Sequence, residues 1–268
     1  MSDDPRTRAE ATLRAWADLP GRAAAARLER GTERWEAEVR ADAPVPAASL
    51  LKIPLAIAAE RAGAEGRIAA GWRIAIRDLL AEASLPSLLH ALDPEIGLGL
   101  ADLIGLTVGL SDGPAAAALL RMTGIGAVCD AIAATGCTAT DAHVVPPEDP
   151  SAPLAGRTTA RDALRLLDAA ADSARHPLTA RALRHSVRNS RIPLGATEAD
   201  VTIAHKTGSL PGLAHDVARI EADGAVLLVA FLATDEHDTL AVGYAMGIAT
   251  RTILAAWGLD AQRTRSIA

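Results

Sequence analysis

Lysine is nearly absent from this chain. Of its 27 basic side chains, 25 are arginine and only two, Lys52 and Lys206, are lysine. Arginine keeps its proton near neutral pH, whereas a lysine in a dry site can lose it, so the two are not interchangeable in acid–base work. Two lysines kept among so many arginines mark positions that need a titratable or compact ammonium. Aromatic residues make up only 2% of the chain, and the net charge is −6. With no run of basic residues either, the basic, aromatic-studded face of a nucleic-acid binder is missing. Cys129 and Cys137 make no disulfide framework and are expected as buried thiols. The seven histidines are scattered without zinc spacing, so no metal site is expected. The acidic start, Met1 to Pro5, leads into no apolar signal segment, and no membrane helix stands out. The expectation is a soluble, cytoplasmic protein with no membrane or nucleic-acid partner. The oligomeric state leaves no mark in the sequence.

Residues 1–268 read as one domain of two intimately packed lobes. A helix is expected over 6–18, then a hairpin of Ala23–Arg30 and Arg34–Arg40 about Gly31-Thr32. Leu50–Ala62 has helical period and stops at Gly63. The middle shows almost no strand pattern. Its expected helices are Ile74–Leu85, Leu100–Val108, Pro114–Met122, Ile125–Ala134, Thr159–Ala171 and Thr179–Val187, broken by glycine and proline. His143 to Pro153, with four prolines in eleven residues, reads as a stiff surface loop. Strands return from Val201 into Lys206, and Val217–Glu221 and Val226–Ala233 form a hairpin about Asp223-Gly224. A helix over Asp238–Trp257 closes the chain. The fold class is therefore α/β of the α+β kind. One antiparallel sheet is built from both chain ends (1–61 and 196–268) and flanked by helices, with an all-helical lobe (62–195) inserted between them.

Three short motifs carry chemistry. Ser49 and Lys52 stand three apart on a helical segment and share a face, so the lysine amine can take the serine proton if burial or a second cation holds it partly neutral. At a helix start, the Ser49 N–H would be an unpaired donor able to bind an oxyanion. Ser111-Asp112-Gly113 precedes a helix starting near Pro114, where Asp112 reads either as a helix cap or as part of a site. Lys206-Thr207-Gly208-Ser209 ends a strand.

In this order the motifs resemble those of the serine β-lactamase and penicillin-binding superfamily, class A-like branch. The likeness runs from about Ala23 onward and includes Thr158 to Leu164 after the Pro-rich loop. It implies Ser49 as acylated nucleophile, Lys52 as its proton acceptor and Ser111 as proton relay to the leaving group. Lys206 would hold that hydroxyl and a substrate carboxylate. Thr207, Gly208 and Ser209 would line the carboxylate site, and the N–H groups of Ser49 and Ser209 the oxyanion hole. His215 falls where such enzymes often place a second cation, or else is a neutral side chain starting a strand. Two departures stand out. Gly113 replaces the family's asparagine, and Glu148 has Ala152 rather than asparagine four residues on, so it reads as a deacylating base or as a solvated loop carboxylate. The resemblance implies a serine hydrolase that needs no cofactor and acts on a small molecule bearing a carboxylate. That substrate is a β-lactam, turned over slowly, or a small ester in intracellular biosynthesis. A binding protein that is acylated without turnover, or only recognises a carboxylate, is the alternative outside enzymology. A cell-wall carboxypeptidase would require export.

Overall fold

The run from Ala225 to Ala233 is apolar at every position, as suits a strand covered on both faces. In the computed structural model, which describes residues 4–81, 87–145, 153–197 and 199–261, this run is the central strand of a five-stranded sheet. The first part of the chain supplies helix α1 (Pro5–Ala17) and strands β1 (Arg22–Arg30) and β2 (Glu33–Val39). The last part supplies β3 (Thr202–Leu210), β4 (Leu213–Ala222), β5 (Ala225–Ala233) and helix α7 (Thr239–Ala256). The order is β2-β1-β5-β4-β3, antiparallel throughout. The sheet is thus assembled from both chain ends, as its pattern predicts. Asp223 (φ 46°) and Gly224 (φ 70°) both take positive φ in the β4–β5 connection, the geometry that matches the twist of a tight hairpin.

Side chains alternate between two cores. Ala24, Leu28, Ala218, Leu227, Val229 and Phe231 face α1 and α7, whereas Ala25, Val217, Leu228, Ala230 and Leu232 face the helical middle. That middle comprises α2 (Lys52–Ala64), α3 (Leu100–Gly105), α4 (Gly113–Ala134), α5 (Ala160–Ala171) and α6 (Pro177–Arg184). Helix α5 lies on the sheet against β1, β4 and β5, and α2 packs on both α4 and α5. Nine consecutive residues of α2, Lys52 to Glu60, are buried, so it is the central helix of this lobe.

Several elements differ from their sequence expectations. Ile74–Leu85 is not one helix: Arg73–Ala75 is a strand paired with Gly97–Gly99, and only Ile76–Leu80 is helical. The two helices expected over 114–134 join end to end in α4, with Gly124 (φ 74°, ψ 158°) as the non-helical joint. Helix α6 stops at Arg184, before Val187. Helices α4 and α7 have the length and hydropathy of a membrane span, and each buries 44% of its most apolar stretch inside the fold. The Pro-rich loop is closed at its base by His143–Val144 pairing with Leu154–Ala155. Glu148 lies outside the described residues.

Candidate active site

A 3₁₀ turn, Ala48–Leu51, runs straight into α2 and carries Ser49. Side chains three apart share a face of a helical turn, so Ser49 and Lys52, the first residue of α2, lie on one side of this segment. Leu50 and Leu51 are buried beneath the turn, while Ser49 stays half-exposed. Ala48, just before it, has φ +48°. A residue with a Cβ rarely adopts that conformation unless its surroundings impose it.

Lys52 is 7% exposed and Lys206, on β3, is fully buried. The two ammonium groups meet on one hydroxyl. Lys52 Nζ donates to Ser111 Oγ (3.2 Å) and to the Ser111 carbonyl (2.6 Å). Lys206 Nζ donates to the same Ser111 Oγ (3.1 Å) and to Thr207 O (2.8 Å). Ser111 itself is left-handed (φ 60°, ψ 32°) and ends the π-helical turn Leu106–Leu110, a combination of strain and irregular helix that often accompanies function. Burial lowers the Lys52 ammonium to about 8 from its ordinary 10.5; Asp112 opposes the shift and Arg188 adds to it. Lys206 is pushed well below the ordinary lysine range, first by burial and then by the neighbouring Lys52 charge. Lys52 can therefore shed a proton at mildly alkaline pH.

Strand β3 is the sheet edge that borders this group. Thr207 is buried and Ser209 is exposed at its end. A Cβ on Gly208 would lie 3.3 Å from Ala47 O and 3.2 Å from His215 Cβ. Glycine thus lets the strand approach the Ser49 turn closely. Arg191, absent from the sequence reading, locks this edge. Its Nη1 donates to Gly208 O (2.7 Å) and to His215 O, and its Nη2 to Ser209 Oγ (2.7 Å). Behind it, Asp216 accepts the Ile192 N–H (3.0 Å) and lies 3.1 Å from His205 Nδ1, whose other ring nitrogen is 3.1 Å from Asn189 Oδ1. Among 25 arginines, nothing local distinguishes Arg191; its side-chain hydrogen bonds all reach residues 17 or more positions away.

His215 requires a correction. It is fully buried, its Nε2 lies 2.9 Å from Pro46 O, and Ala233 N–H donates to its Nδ1. A carbonyl only accepts, so Nε2 carries the hydrogen, Nδ1 is the acceptor, and the ring is neutral. Burial moves its pKa down to about 4. His215 is a structural link between the sheet and the segment before Ser49, not a second cation for a carboxylate. Asp112 resolves in favour of the cap: one oxygen accepts the Ala115 N–H (2.8 Å) and the other the Ser87 hydroxyl. Gly113 is the buried first residue of α4 and offers no polar side chain. Among the described residues no group of three or more His, Cys, Asp or Glu side chains could hold a metal ion.

Residues 10–257 match the β-lactamase enzyme family. The chain is similar to the β-lactamase from Sphaerobacter thermophilus DSM 20745, at 29% identity and a TM-score of 0.79, over 94% of this chain and 97% of that one. It superposes on PBP-A at 20% identity and a TM-score of 0.78, over 94% of this chain and 96% of that one. A class A β-lactamase representative from Bacteroides cellulosilyticus DSM 14838 matches at 17% identity and a TM-score of 0.73, over 96% and 99% of the two chains. These last two likenesses concern the fold. No curated protein matches the sequence.

Proposed function

The chain belongs to the β-lactamase enzyme family, and on that premise we propose that it is a serine hydrolase working through an acyl-Ser49 intermediate, with slow hydrolysis of β-lactams as its activity. The observation that carries this reading is the Ser111 hydroxyl held by two buried ammonium groups, with Ser49 one turn from Lys52. In the acylation step Ser49 Oγ attacks the substrate carbonyl and neutral Lys52 takes its proton. The N–H groups of Ser49 and Ser209 bind the oxyanion. The bond to the leaving atom then breaks, and Ser111 passes a proton to that atom from the lysine pair. Lys206, Thr207 and Ser209 receive the substrate carboxylate, with Arg191 fixing the Ser209 hydroxyl.

Acylation thus has its parts, whereas deacylation lacks a base among the described residues. Asp112 is committed to capping, and the Ser111 loop ends in Gly113 where an amide would help place the substrate. A positioned base is worth on the order of 10²–10⁴ in rate, and Glu148, the sequence candidate for it, lies outside the described residues. Gly113 also favours a second reading, an esterase or acyltransferase, because an ester needs neither an acylamide contact nor much help for its leaving group.

Electrospray intact mass after mixing with a penicillin and with a 3′-acetoxy cephalosporin tests these readings. A transient adduct with accumulating ring-opened product, absent in Ser49→Ala, is the expected result. A persistent adduct would make the protein a β-lactam binder, and acetate loss without ring opening would make it an esterase. No adduct and no product with either compound would sink the β-lactam reading.

A further inference from the structure

Arg188 is tethered to the carbonyl of Leu110, the residue before Ser111, and has no part in the scheme above. It lies in an exposed segment after α6, and that segment is fastened to the turn before Ser111. Val187 N–H donates to Gly109 O (3.2 Å), and Arg188 Nε and Nη2 both donate to Leu110 O (3.3 Å each). Leu110 is the residue before the hydroxyl that would protonate the leaving group. The Arg188 charge is felt there, since it lowers the proton affinity of Lys52, Lys206 and Arg191. Arg191 turns its guanidinium onto two carbonyls and the Ser209 hydroxyl. Arg188 directs two of its five N–H groups to a single carbonyl and pairs with no carboxylate among the described residues. Three donors of a planar fork, half-tethered and solvent-facing, suit a carboxylate or phosphate that arrives with the substrate.

Resting on the acyl-Ser49 reading, we propose that Arg188 is a specificity residue that selects substrates whose leaving group carries a second anionic group, beyond the carboxylate received by Lys206, Thr207 and Ser209. Nothing in the scheme needs a cation at Arg188 for a substrate with one carboxylate. A charge so close to two buried ammonium groups is unfavourable to both, and a substrate anion between them would relieve it.

The test uses two esters with the same phenylacetyl group, one on the hydroxyl of lactate and one on that of malate. Both give the same acyl-enzyme: the Ser49 Oγ–acyl bond forms, the ester C–O bond breaks, and the hydroxy acid leaves with the proton. Deacylation is then identical, so any difference lies in the step where Arg188 would act. Acylation rates at limiting substrate are expected to favour the malate ester by roughly three- to tenfold, the range of an exposed to partly shielded bidentate pair. The preference should shrink with added salt, fall to about one in Arg188→Ala, survive in part in Arg188→Lys and reverse in Arg188→Glu. If Arg188 only tuned the lysines, its loss would change both esters alike and leave their ratio intact; that outcome, or a wild-type ratio near one, overturns the proposal. Failure of both esters and of a penicillin to acylate Ser49 would remove the acyl-enzyme reading and this inference with it.

Discussion

At the scale of single residues, the chemistry rests on ammonium groups held where water does not reach them. Burial alone would favour an apolar side chain at Lys52, so the lysine is kept at a cost in stability. The sign follows from proton counting. The pKa of Lys52 is about 8 in the folded chain and near its ordinary 10.5 when unfolded. Below pH 8 both states carry the proton and the desolvation cost is fully present. Between 8 and 10.5 the unfolded chain binds more protons, so wild-type stability rises with pH and the cost fades. Lys52→Met is therefore expected to unfold about 1–3 kcal/mol later than wild type at pH 7, the upper end being the full pKa difference and the lower allowing for lost bonds to Ser111. That advantage should disappear by about pH 10.5, and urea denaturation at the two pH values measures it. The same variant should form no acyl-enzyme, whereas wild-type acylation should climb with pH to a plateau above about 8. A pH-independent acylation rate from 6 to 9 would argue against Lys52 as the proton acceptor. His215 gives the complementary lesson: its place in the sequence invites a charged role, and its two backbone partners make it neutral.

At the scale of elements, glycine decides how closely segments approach the site. The 3₁₀ turn Ile192–Ala196 lies on α7 so tightly that a Cβ on Gly195 would sit 2.2 Å from Gly247 O and 2.8 Å from Arg251 N. Both obstacles are backbone, so neither can rotate away. Gly195→Ala is expected to destabilise the protein by about 2–4 kcal/mol, at or beyond the upper end of ordinary overpacking. Because the turn begins one residue after Arg191, the substitution should also loosen the Arg191–Ser209 bond and slow acylation in what remains folded. Thermal melts with adduct-formation rates would check both effects. An unchanged melting temperature would mean that α7 yields more easily than its packing indicates. Elements also show where pattern reading fails. Ile74 and Ile76 carry apolar side chains in a segment that could be helical, but Arg73–Ala75 meets Gly97–Gly99 and becomes a strand. A pairing partner more than 20 residues away overrides a local preference.

At the scale of the whole molecule, the sheet separates two cores and belongs to both. The cleft is built where contributions from distant parts of the chain converge: the Ser49 turn, the Ser111 loop from the helical middle, and β3 with Arg191 from the later part. Strands β1, β4 and β5 send alternate residues into each core, so neither core can dissolve without exposing the other. One cooperative unfolding transition is expected. Trp16, Trp35 and Trp257 report on the outer core and Trp72 packs against the inner one. Denaturation followed by tryptophan fluorescence and by far-ultraviolet circular dichroism should therefore coincide in wild type. Fluorescence of Trp72→Phe, which keeps only the outer-core reporters, should trace the same curve. Separate midpoints would show that the helical lobe unfolds independently.

The sequence by itself determined which residues could do chemistry and in what order they occur. The two lysines stand out by count, the three motifs by spacing, and the antiparallel sheet by alternation at the chain ends, because composition, spacing and period are local properties. Tertiary structure alone decided that Lys52 and Lys206 share the Ser111 hydroxyl, that Ala48 and Ser111 take left-handed backbone, that His215 is sealed off and that Arg191 fixes the β3 edge. Each of these depends on contacts between segments far apart in the chain. Burial, which sets the charge of a lysine or a histidine, is a property of the packed whole.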